Sequence, residues 1–262
     1  MKQSITLFVC LALSVSSLYA GFQQRTVSYE LDGVTFESTI VWNGELDEAK
    51  PGILMVPNWM GPTEASLKKA KQIADDDFVV MMVDMYGTAV RPTNGGEAGA
   101  AAGKLREDRA LMRARAAKAL EVFREHGKSG EIPLNAKQVA GIGFCFGGGT
   151  VLELARSGID LDAVVSFHGD LLSPTLASDA VNTQAKVLVL HGAADPYVPQ
   201  EHVQEWVAVM NATQVDWTLV QFSGAVHSFT DPSANSDGAR YDKRTAKRAF
   251  EMMDDLFDEI WD

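Results

Sequence analysis

The residues Gly143-Phe144-Cys145-Phe146-Gly147 set a cysteine between two glycines directly after the apolar run QVAGIGF. A residue at the centre of a tight strand-to-helix turn is forced into a strained backbone conformation, and only glycine two positions to either side avoids collision. The stretch GGTVLELA that follows reads as a helix, whose positive end would face the sulfur. A cysteine in that setting can attack an acyl carbon as a nucleophile. A small buried thiol without chemistry is the competing reading, but it would need no glycine on either side.

A thiol nucleophile needs a base, and the base needs an orienting acid. After an elbow nucleophile the acid comes next in chain order and the histidine last. Downstream of Cys145, KVLVLHGAADPYVP supplies Asp195 just past an apolar run, and LVQFSGAVHSF supplies His227 after the next one. The oxyanion of the reaction calls for two backbone N–H groups. Phe146, directly after the nucleophile, gives one; the loop after GILMVP gives the other at Asn58 or Trp59. His168 and His191 also end apolar runs and are rival bases, while Asp84 and Asp170 lie in the wrong order or loop to orient one. His126 and His202 fall on helical patterns and are expected to face solvent. No grouping has zinc-site spacing, and the sequon at Asn211 is a pattern match alone.

These groups can meet only if the intervening elements bring them to one edge. RTVSYEL and VTFESTIVW flank Asp32-Gly33, a hairpin dipeptide, so two antiparallel strands are expected first. GILMVPNW, FVVMMVDMYG, QVAGIGFC, AVVSFHG and KVLVLHG are short apolar runs of the kind buried on both faces of a parallel sheet. Between them, amphipathic spacing predicts helices over Glu64 to Ala74, Leu111 to Phe123, Glu201 to Met210 and Tyr241 to Trp261. Strands alternating with helices imply a mostly parallel central sheet with helices on both faces. Gly87 to Gly103, GTAVRPTNGGEAGAAAG, reads as a long loop bordering the crevice beyond the strand ends.

With 262 residues, 46% of them hydrophobic, the chain can bury a sizeable core. A net charge of −12 argues against nucleic acid and anionic membranes as partners. Residues 1–20, MKQSITLFVCLALSVSSLYA, have a basic start, a short apolar stretch and a small terminal residue, the layout of a secretory signal peptide. Export to a bacterial periplasm or the medium is expected, with residues 21–262 as the mature domain. Cleavage would remove Cys10 and leave Cys145 without a disulfide partner.

GFCFGG, SFHG, HGAADPYVP and AVHSF occur in the order of blocks in the dienelactone hydrolase family, and the chain resembles that family over nearly all of residues 21–262. The resemblance implies the α/β-hydrolase fold, with Cys145 as nucleophile, Asp195 as orienter and His227 as base. It implies hydrolysis of a small ester or lactone through an acyl-thioester, with no cofactor and no metal; apart from the resemblance, a monomer is expected.

Two positions depart from the family pattern. Family members carry a glutamate three residues before the glycine of the loop that reads NWMG here, where Asn58 stands. They also carry an arginine shortly after His-Ser-Phe that holds a substrate carboxylate, and here Asp231 is nearby. Thiol activation then falls to His227 and the helix end. Asn58, Arg91 and His168 are the candidates for the substrate pocket, with Lys104 and Arg106 as further sources of a cation. A general carboxylesterase or thioesterase with the same three residues, and a small-molecule binding protein on the same fold, remain alternatives.

Overall fold

The structure, a computed structural model, describes residues 21–46 and 48–261. The signal-peptide expectation over residues 1–20 lies outside them. The chain opens with β1 (Phe22–Leu31) and β2 (Val34–Asn43), paired antiparallel across Asp32 and Gly33 at φ 51° and 74°. Both turn residues are left-handed, as a two-residue hairpin turn that follows strand twist requires.

The remaining strands are β3 (Lys50–Val56), β4 (Val79–Met82), β5 (Leu134–Phe144), β6 (Ala163–Phe167), β7 (Lys186–Gly192) and β8 (Trp217–Phe222). They form one eight-stranded sheet in the order β1-β2-β4-β3-β5-β6-β7-β8. From β4 to β8 every pairing is parallel, and β2 joins β4 antiparallel. The helices are α1 (Glu64–Ala74), α2 (Gly95–Glu107), α3 (Arg109–Lys128), α4 (Phe146–Arg156), the single turn α5 (Leu176–Asp179), α6 (Gln200–Met210) and α7 (Lys243–Trp261).

The apolar runs become strands because each must serve two cores. Along β3, Leu54 and Val56 pack on one face while Ile53 and Met55 pack on the other; β7 divides Val187 and Val189 from Leu188 and Leu190 in the same way. One core lies under α2, α3, α4 and α6, and the other under α1 and α7. Each fully buried side chain of this kind contributes about 1.5–3 kcal/mol. Continuous hydrophobicity is therefore needed, where a one-faced sheet would alternate with polar residues.

The expected loop over Gly87 to Gly103 is corrected by α2, which begins at Gly95. Asn94 caps it by accepting the Glu97 N–H at 3.1 Å, and Ala98, Ala102 and Leu105 bury one face. Glycine and alanine hide that periodicity from a hydropathy reading. At Gly95 and Gly99 the indole of Trp59 lies alongside the helix.

Candidate active site

Cys145 stands between β5 and α4 at φ 56° and ψ −115°. A Cβ on Gly143 would run into the Gly147 carbonyl, and one on Gly147 into the Val56 carbonyl. The elbow therefore exists only with glycine at both places. Backbone strain of this sort costs about 1–3 kcal/mol and persists only where the surroundings impose it. Here they do: the Cys145 N–H is shared between the Phe167 carbonyl at 3.0 Å and His168 Nδ1 at 3.1 Å. Every residue of α4 is buried behind it. Phe146 opens α4, so its N–H has no acceptor within the helix and is left for a ligand.

Asp195 lies in the turn after β7, with its side chain fully buried. One carboxylate oxygen accepts the N–H groups of Tyr197 at 2.8 Å and Val198 at 3.2 Å; the other meets His227 Nδ1 at 2.7 Å. His227 lies beyond β8, strapped by its N–H to the Gly238 carbonyl and by its carbonyl to the Arg240 N–H. Burial pushes its imidazole down, but hydrogen bonds to Asp195 and to the Cys145 side chain, with their charges, outweigh that and raise it to about 10. His227 is a strong proton acceptor placed beside the thiol.

Cys145 and His227 open on a cavity of about 610 Å³. Asn58, Trp59, Arg106, Asp170, Tyr197 and Asp231 contribute to its wall. Trp59 and Tyr197 are exposed large aromatics, and the Tyr197 ring stands edge-on to His227 at 5.3 Å. The Trp59 carbonyl accepts the Tyr86 hydroxyl at 2.9 Å, and Asn58 Oδ1 accepts the Met60 N–H at 3.0 Å. Both bonds fix the loop that carries the second expected oxyanion donor. Arg106 pairs through Nε with Asp170 at 2.7 Å.

Two pocket expectations are corrected. Arg91 faces away from this cavity, because its guanidinium is held by buried Asp84 at 2.8 Å and by the Gly87 carbonyl. It lines a separate hollow with Tyr86 and Lys104. His168 does not line the cavity either: it is 2% exposed and spends Nδ1 on the Cys145 amide and Nε2 on Thr230 Oγ1 at 2.8 Å. His191, the other rival base, is buried beside β8 and held below its usual value by that burial. Tyr197 was not singled out from the sequence, although its place two residues after Asp195 puts it at the same rim.

Residues 41–261 match the model of the dienelactone hydrolase family. The chain belongs to the dienelactone hydrolase family. Among solved structures, it is similar to a dienelactone hydrolase-like promiscuous phosphotriesterase from metagenomic libraries, with 34% identity and a TM-score of 0.84. That match covers 92% of this chain and 99% of the other. A dienelactone hydrolase from Anabaena variabilis superposes with a TM-score of 0.66 at 19% identity, over 91% of this chain and 98% of that one, a likeness of fold alone. An uncharacterized Caenorhabditis elegans protein is 34% identical over 135 residues, 50% of this chain and 85% of that one.

As a member of the dienelactone hydrolase family the chain is a carboxylic ester hydrolase on an α/β-hydrolase fold. Among its described residues no cluster of three or more His, Cys, Asp or Glu could hold a metal ion, and no helix is long and apolar enough to cross a membrane.

Proposed function

We propose that the protein hydrolyses small uncharged esters or lactones through Cys145, His227 and Asp195. The Cys145 sulfur attacks the acyl carbon as His227 Nε2 takes the thiol proton, and the oxyanion settles against the N–H groups of Phe146 and Trp59. The C–O bond breaks, the departing alkoxide receives that proton, and an acyl-thioester remains. Water then attacks the thioester while His227 removes its proton; the C–S bond breaks, sulfur recovers the proton, and the acid leaves. Asp195 holds the imidazole with Nε2 turned toward the sulfur and steadies the positive charge of the ring once it carries the thiol proton. The observation that carries this reading is the 2.7 Å bond between His227 and fully buried Asp195, in line with a cysteine strained outward at a cavity.

The cavity wall supports an uncharged substrate. Arg106 is already neutralised by Asp170, and Asp231 adds negative charge close to where the family places a carboxylate-binding arginine. Exposed Trp59 and Tyr197 offer flat apolar surface for an aryl or short acyl group. A general carboxylesterase is therefore a closer description than an enzyme for dienelactone, whose carboxylate would meet Asp231.

The test is hydrolysis of a chromogenic aryl ester by the parent and by Cys145→Ala, with iodoacetamide labelling of the thiol. Full activity in the variant, or an unlabelled Cys145, would refute the mechanism. Tight retention of ester without product would instead favour a binding protein. A panel of lactones, acyl-thioesters and a neutral aryl phosphotriester, the last suggested by the name of the metagenomic relative, ranks the substrate classes. The leader-like residues 1–20 support export, and osmotic-shock fractionation of a bacterial host that finds the chain only in the cytoplasm would refute it.

A further inference from the structure

Behind the proposed nucleophile lies a chain of side chains that the mechanism does not use. His168 ends β6 at φ 41°, buried, with its ring edge-on to His227 at 5.1 Å and to Phe229 at 5.0 Å. Its Nδ1 faces the Cys145 N–H at 3.1 Å and its Nε2 faces Thr230 Oγ1 at 2.8 Å. Thr230 is pinned in turn by Lys69, whose ammonium reaches the Thr230 carbonyl at 3.2 Å and Oγ1 at 3.4 Å while lying 4.0 Å above the Phe144 ring.

A neutral imidazole has one donor and one acceptor nitrogen. The Cys145 amide can only donate, so Nδ1 must be bare and the proton must sit on Nε2, where the Thr230 hydroxyl oxygen accepts it. We propose that His168 is a positioning residue: with its Nε2–H tautomer dictated by the donor-only Cys145 amide and its ring anchored by Thr230, it holds that amide and so sets the direction of the nucleophile. The inference rests on Cys145 being that nucleophile.

The opposite tautomer would set two N–H groups against each other at the elbow. Protonation would do the same and would also bring a second positive charge to within 5.1 Å of His227, opposing the imidazolium that forms there. The surroundings guard against this. Burial first, and then the charges of His227, Lys69 and His191, hold His168 well below the usual histidine range.

The Cys145 amide keeps Phe167 as a second acceptor, so loss of His168 need not unfold the turn; it frees the elbow to swing. His168→Leu is expected to lower kcat on an aryl ester by about 10- to 100-fold with KM within about twofold, since a small misplacement of a reacting group acts on chemistry more than on binding. Iodoacetamide alkylation of Cys145 slows in parallel. His168→Asn, whose Oδ1 can stand in for Nδ1, recovers most of the loss. Thr230→Val, which removes the anchor and leaves the buried Nε2–H without an acceptor, lowers kcat by about tenfold, and Thr230→Ser recovers part of that. Proton–nitrogen NMR of the parent finds the His168 proton on Nε2.

A proton on Nδ1, or kcat within about threefold of the parent in both His168→Leu and Thr230→Val, overturns the inference. If His168→Leu does not fold, Thr230→Val and the NMR tautomer decide. Activity surviving Cys145→Ala would fell the nucleophile reading, whereas a dead Cys145→Ala beside fully active His168→Leu and Thr230→Val would fell the positioning role alone.

Discussion

Replacing Asp195 by asparagine separates the orienting role of this carboxylate from its structural one. Its Oδ1 accepts two backbone N–H groups, from Tyr197 and Val198, and its Oδ2 meets His227 Nδ1. Asparagine has a single acceptor oxygen, and the two backbone donors claim it. The NH₂ must then face His227, where a donor forces Nδ1 to accept and moves the imidazole proton to Nε2. In that tautomer the ring cannot take a proton from Cys145. In a serine protease the equivalent change lowers kcat about 10⁴-fold. A fall of about 10³- to 10⁴-fold is expected here, or roughly 4–5.5 kcal/mol of barrier. KM changes little and both backbone bonds survive, but thermal stability at pH 7 falls by the part of the His227 stabilisation that the Asp195 hydrogen bond and charge supply. Asp195→Ala behaves differently: it strands the buried Val198 N–H, at about 1–3 kcal/mol, and the part-buried Tyr197 N–H, and so destabilises the fold, but lets the ring choose its tautomer. Initial rates on an aryl ester, thermal melts and the NMR position of the His227 proton give the three readouts. A kcat for Asp195→Asn within about tenfold of the parent, or a proton on Nδ1 in that variant, would refute the reasoning.

The remaining predictions concern charge, packing and the pocket. His227 is raised in the folded state from 6.5 to about 10, so its stabilisation is fully present below pH 6.5 and is lost as pH rises through about 10. The melting temperature of the parent should therefore drop more between pH 7 and 10 than that of His227→Gln, and equal slopes would count against the assignment. Gly147→Ala drives a Cβ into the Val56 carbonyl and should leave little folded protein by circular dichroism, whereas Gly103→Ala, on an open face of α2, should raise stability by about 0.5–1 kcal/mol in urea titration. Asp231→Asn should improve kcat/KM for a carboxylate-bearing ester about 3- to 10-fold relative to its neutral analogue, an effect that shrinks with added salt; equal ratios in both proteins would show that this carboxylate does not select against anions.

What could be foreseen from the chain and what could not divide along a physical line. The Asp32-Gly33 turn, the Gly143 and Gly147 flanks of Cys145 and the bounds of α1 follow from local constraints: φ at a turn, a collision two residues away, apolar spacing on one helix. Asp195 and His227 were found by chain order, since a parallel sheet brings successive loops to the same edge. The misses are residues whose role depends on a partner that only the fold brings beside them. Arg91 looks like a free cation until Asp84 folds beside it, and α2 looks like a loop until Trp59 is laid along its glycines. His168 is the sharpest case. From sequence it is a histidine at a strand end, as eligible for the pocket as for catalysis, and nothing nearby reveals its second bond.

That bond comes from Thr230, 62 residues later, on the loop that also carries His227. One loop therefore supplies the base and anchors the ring behind the nucleophile. This gives a physical reason for its many straps, including the Arg240 and Gly238 bonds to the backbone of His227 and the Lys69 contacts to Thr230. A loop that moved would disturb the base and the elbow together. The residues between Ser228 and Tyr241, mostly polar and unpatterned in sequence, are accordingly tied by these bonds to the base and to α1.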